Sequence, residues 1–77
     1  MRLEAQSAEP DEFHIGFGAV AGNFNLSASA DLEAAAAALY VALHEASASP
    51  KPKIAVTPVP AHGVGIAIND RLRRAAS

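Results

Sequence analysis

A single small α/β domain with a largely parallel sheet is the fold class this sequence predicts. Three features of the chain support it. Phe13, Ile15 and Phe17 alternate with His14 and Gly16. An alanine-rich segment with helical spacing follows. A β-branched run over 54–57 then leads into a second amphipathic stretch. Strand, helix and strand in succession favour parallel pairing, because the crossover returns the chain to the same end of the sheet. The length of 77 residues predicts one domain, 1–77, with a core too small to be more than marginally stable.

Taken in order, residues 1–5 read as a short strand with Leu3 and Ala5 on one face. Residues 6–11 are polar, hold Pro10 and read as a loop. The alternation over 13–17 is a strand, residues 18–22 a turn, and Phe24 with Leu26 marks another short strand. The first main helix is expected over about 29–46, with Leu32, Ala36, Leu39, Leu43 and Ala46 as its apolar stripe and Tyr40 flanking it. Ala34 to Ala38 have the strongest helix propensity of any residue. Ser29 or Asp31 caps its start, and Asp31 and Glu33 suit the positive end of the helix dipole. Lys53–Thr57 is a strand closed by Pro58 and Pro60, neither of which can donate to a ladder. The second main helix is expected over about 64–76, with Ile68, Leu72 and Ala75 inward and Asp70 paired to Arg74 one turn on.

Composition narrows the function classes. Hydrophobic residues make up 51% and charged residues 18%, a globular balance rather than a disordered one. The absence of cysteine removes thiol catalysis, thiolate zinc sites and iron–sulfur clusters. A net charge of −2 gives no general field for phosphates, so a nucleic-acid binder is not indicated. No apolar run approaches the roughly 20 residues of a membrane span, and Glu4 falls where a signal peptide would turn apolar. A cytoplasmic protein with no membrane contact is therefore expected.

Gly16 to Ala21 spells G-x-G-x-x-A, a dinucleotide-binding pattern. The helix that must follow is missing, since Asn23–Leu26 reads as extended, so a flexible strand-ending loop is the expectation. His14, His44 and His62 share no ligand spacing on one element and read as scattered histidines. Ser27, Ser29, Ser47 and Ser49 lie beside helix ends, where capping accounts for them. Glu9, Asp11 and Glu12 read as a solvated acidic loop. Arg71, Arg73 and Arg74 face mostly away from the second helix's stripe; they suit its negative end and, as the alternative, offer a surface to an acidic partner or a phosphate backbone. Gly63 and Gly65 bracket the start of that helix. They read first as a tight turn and second as an anion site built from free N–H groups.

Three segments then resemble a known family. Asn25-Leu26-Ser27-Ala28-Ser29-Ala30-Asp31-Leu32, with the alanine-rich helix ending in Ala42-Leu43-His44, is similar to the strand-to-helix entry of the C-terminal domain of two-domain threonylcarbamoyl-AMP synthases. Ile54-Ala55-Val56-Thr57-Pro58-Val59-Pro60 resembles that family's next strand. The run from Gly63 through Asn69-Asp70-Arg71-Leu72-Arg73-Arg74-Ala75-Ala76 resembles its closing helix and is the most specific of the three. Ile66, where the family usually has a polar residue, and His14, where it is commonly apolar, depart from the pattern.

The resemblance implies a small Rossmann-like fold attached to an enzyme that joins L-threonine, bicarbonate and ATP into threonylcarbamoyl-adenylate. That product supplies the group placed on the adenosine beside the tRNA anticodon. The chemistry, with its ATP and magnesium, belongs to a larger YrdC-like catalytic domain, and a linker leads from it to the smaller domain. Nothing in these 77 residues matches that larger domain, so no catalytic, cofactor-binding or metal residue carries over. The implied role is accessory or regulatory, with a separate YrdC-like catalytic domain as partner and Ile66, Arg71, Arg73 and Arg74 as the partner surface. Two other roles fit the residues: a small-molecule or nucleotide module with its anion site at Gly63 and Gly65, and a homo-oligomer that hides Ile66.

Overall fold

The computed structural model describes residues 1–76. Its elements in chain order are β1 (Glu12–Gly16), β2 (Phe24–Asn25), α1 (Leu32–Ala48), β3 (Lys53–Val56) and α2 (Gly65–Ala76). The strands form one three-stranded sheet in the order β2-β1-β3. Both pairings are parallel: Ile15 lies opposite Phe24 on one side of β1, and Glu12 to Ile15 lie opposite Lys53 to Val56 on the other. The α/β class and its parallel sheet are as the sequence predicts.

The β1–β3 pairing is made across α1, as a helical crossover requires. The β1–β2 pairing is unusual in having no helix between its strands. Residues 17–23 turn the chain back within a tight loop, and hydrogen bonds from Gly18 N–H to Ser27 O and from Asn23 N–H to His14 O hold it. Glycine makes that loop feasible. A Cβ on Gly16 would lie 2.0 Å from the Val20 carbonyl oxygen, and Gly18 and Gly22 both adopt φ of +63°. The G-x-G-x-x-A run is therefore a strand-ending turn with no helix after it.

Residues 1–5 do not form the expected strand. Arg2 makes a single parallel bridge to Ala55, with hydrogen bonds from Arg2 N–H to Ile54 O and from Ala5 N–H to Val56 O. Glu4, between them, has a φ of +52°, which breaks the extended run. The segment still covers the outer edge of β3, which would otherwise offer unpaired backbone groups.

Both helices pack on one face of the sheet. Ile15 and Val56 share a core with Ala35, Leu39, Ala42 and Ala46 of α1 and with Ile68 and Leu72 of α2. α1 begins three residues later than the sequence suggests, because Asp31 rather than Ser29 is its cap. Asp31 Oδ1 accepts from the Glu33 and Ala34 N–H groups at 3.0 and 3.3 Å. The buried line of α1 is also rotated. Ala35 and Ala42 are fully buried, whereas Leu32, Ala36 and Leu43 are only partly so. Small side chains let the helix backbone approach the sheet, and the leucines reach in from the sides. In α2, Ile68 and Leu72 point inward as expected, but Ala75 is exposed and Gly65 is buried.

Candidate functional site

Helix α2 carries the residues that the sequence offers as a partner surface. Ile66 is 58% exposed on its first turn; Tyr40 and Val41 of α1 and Met1 are the other large hydrophobic residues that are exposed among those described. Arg71, Arg73 and Arg74 are all exposed further along. Arg74 Nη2 lies 2.9 Å from Asp70 Oδ2, the one-turn pair anticipated above. Asn69 anchors the helix: its Nδ2 donates to the carbonyls of Val59 and Gly65, both at 2.9 Å. Nothing in the residue pattern reveals that bracket, because Val59 reaches Asn69 only once the 57–64 connection has folded.

Gly63 and Gly65 prove to differ from each other. Gly63 has φ of +54° and open space around its missing side chain. Gly65 is close-packed, and a Cβ there would lie 2.0 Å from the Pro60 carbonyl oxygen. The Gly65 N–H donates to His62 O and the Ile66 N–H to Gly63 O, so two of the first N–H groups of α2 are spent within the turn.

A cleft of about 100 Å³ opens at the carboxyl end of β3, lined by Leu3, Glu4, Val56, Thr57, Pro58, Asn69, Leu72 and Arg73. Parallel sheets commonly bind ligands outside the carboxyl ends of their strands. Beside it, Thr57 is buried and its Oγ1 hydrogen-bonds His14 Nε2 at 2.8 Å, across the β1–β3 seam. His44 stacks on Tyr40 with ring centroids 6.3 Å apart on the exposed side of α1. Among the described residues no group of three His, Cys, Asp or Glu side chains is placed to hold a metal.

A larger hollow, about 350 Å³, lies at the other end of the sheet between Met1, Arg2, Glu9, Asp11, Glu12, Lys53 and Ile54. The reading of Glu9, Asp11 and Glu12 as a solvated loop needs correcting here. Glu12 belongs to β1, is 5% exposed and is clamped by Arg2, with Nη2 to Oε1 at 2.6 Å and Nε to Oε2 at 3.1 Å. The Glu9 N–H adds a third bond at 2.8 Å. The Arg2 hydrogen bonds, with help from the Glu9 N–H, hold the Glu12 carboxyl at about 2, well below its usual 4.5, although burial pushes the other way. Arg2 is raised in turn, chiefly by its hydrogen bond to Glu12. Lys53 Nζ and Asp11 Oδ2 pair at 3.3 Å nearby. Most charges around this hollow are thus spent on one another.

The fold is a small helix-on-sheet α/β domain whose second helix exposes Ile66 and three arginines. A family model described as threonylcarbamoyl-AMP synthase, C-terminal domain, matches residues 2–77. The chain belongs to that family. No curated protein and no solved structure matches it. At the level of the family, this places the chain among proteins of threonylcarbamoyl-AMP synthesis and tRNA modification. No described helix is long and apolar enough to cross a membrane.

Proposed function

We propose that this domain is an accessory part of a threonylcarbamoyl-AMP synthase, docked on a YrdC-like catalytic domain through the outer side of α2. The carrying observation is Ile66, a large apolar residue more than half exposed on the first turn of a helix whose later turns expose Arg71, Arg73 and Arg74. Exposed arginines on the same helix as an exposed apolar residue suit an interface, since Arg is enriched among interface hot spots. ATP, threonine and magnesium are handled by the catalytic domain, and this domain holds or covers that site. The complex works in the cytoplasm and this domain does not itself grip tRNA, in keeping with its net charge of −2.

The test is to mix the 77-residue chain with a YrdC-like catalytic domain of the same family and measure both binding and adenylate formation. The chain alone makes no adenylate; added to the catalytic domain, it binds and changes turnover. Ile66→Asp with Arg71→Glu weakens binding about tenfold or more without lowering the melting temperature. Failure to bind, or binding indifferent to both substitutions, overturns the reading.

A further inference from the structure

The cleft at the carboxyl end of β3 carries an arrangement of which the docking role uses only Arg73. Glu4 and Arg73 line the same cavity, one from the N-terminal segment and one from α2. They bear opposite charges, yet they make no ion pair with each other. Among the described residues, neither side chain has a hydrogen-bonding partner of its own. The larger hollow at the opposite end differs on this point, since Arg2–Glu12 and Lys53–Asp11 already pair there.

Backbone geometry supplies a second, independent sign. Glu4 is one of only two non-glycine residues at positive φ among those described. That conformation is uncommon and is held only where the surroundings enforce it; such residues gather at ligand sites. The hydrogen bonds of Arg2 and Ala5 to β3, on either side, enforce it here and set Glu4 against the cleft.

We infer that this cleft binds a small zwitterion, a molecule with an ammonium and a carboxylate or sulfonate a few bonds apart. Arg73 takes the anionic end and Glu4 the cationic end. Leu3, Val56, Pro58 and Leu72 supply an apolar floor between them. A simple anion would be opposed by Glu4 and a simple cation by Arg73, so both charges are needed in one ligand. The size agrees. The volume of about 100 Å³ exceeds the ~15 Å³ that one water needs but is well below the ~300 Å³ at which drug-sized pockets begin.

The experiment uses the 77-residue chain alone, so it is independent of docking to any catalytic domain. Isotope-labelled protein is titrated at constant ionic strength with glycine, acetate and methylammonium, following the amide signals of Glu4, Thr57 and Arg73. Glycine is expected to saturate at a Kd on the order of 1–10 mM, with acetate and methylammonium each about tenfold weaker or more. Arg73→Gln and Glu4→Gln each remove glycine's advantage over the singly charged probes while the spectrum stays dispersed. Glu45→Gln, on α1, leaves it intact. Two charge-removing variants are used so that one misfolded protein does not decide the result. Glycine that moves none of these signals, or that binds no better than acetate, overturns the inference.

Discussion

Single residues set most of what holds this domain together. Glu12 has the clearest pH signature. Its carboxyl sits at about 2 in the folded protein and returns to about 4.5 when the chain unfolds. A depressed carboxyl contributes stability that is fully present above the unfolded value and is lost as pH falls toward the folded one. The melting temperature of the wild type is therefore expected to drop between about pH 4.5 and 2 by more than that of Glu12→Gln, with the two curves converging toward the acid end. A thermal melt at each pH measures it; parallel curves would mean the Arg2 clamp contributes nothing. The two glycines at the start of α2 give a second contrast. Gly65→Ala drives a Cβ into the Pro60 carbonyl and should cost about 3 kcal/mol, the upper end for overpacking. Gly63→Ala meets open space and should cost only about 1–2 kcal/mol for its left-handed φ. Denaturant melts of both variants check that order.

At the scale of elements, α1 depends on its cap. Asp31 satisfies two N–H groups that the helix itself cannot. Asp31→Ala should destabilise by about 1 kcal/mol, a typical cap loss. Ser29→Ala should change little, because the Ser29 hydroxyl only meets that of Ser27 at 3.3 Å. Chemical denaturation of the two variants separates them. The sequence makes the elements legible because periodicity is local. The alternation of Phe13, Ile15 and Phe17 places β1 within one residue, and β3 ends at Val56, one residue short of the expected Thr57. The inward line of α1 is less legible, since Ala34 to Ala38 are chemically identical and only contact with Ile15 and Val56 decides which of them face in. The role of Glu12 is hidden for a related reason. Its partner Arg2 comes into reach only when residues 2–5 lie along β3. At the candidate site, the exposure of Ile66 and the arginines follows from helical spacing alone. The cleft does not, because it is assembled from three segments far apart in the chain.

The whole molecule is a helix-on-sheet layer with its two helices side by side, and its radius of gyration of 11.0 Å is that of one compact unit. Its sheet faces differ. Ile15 and Val56 look toward the helices, while alternation sends His14, Ala55 and Thr57 to the other face, where no helix lies. The exposed side of α2, the cleft beside it and the His14–Thr57 contact are thus properties of one end of the assembled domain rather than of any segment. Disturbing Ile66 or Arg71 should affect association and leave the core alone, whereas disturbing Gly65 or Glu12 should affect the core first.

The central position of β1 also bears on how the chain reaches this state. Its long partner, β3, lies beyond the whole of α1, and Arg2 waits for Ala55 in the same way. Parallel pairing over such separations is paid in loop-closure entropy before any contact repays it, which slows folding. α1 can form within about 1 μs from local contacts, but its alanine line then has no sheet to cover it. On a ribosome adding roughly 5–20 residues each second, the first half of the chain spends seconds with Leu39 and Leu43 uncovered. β3 is the segment whose arrival ends that wait.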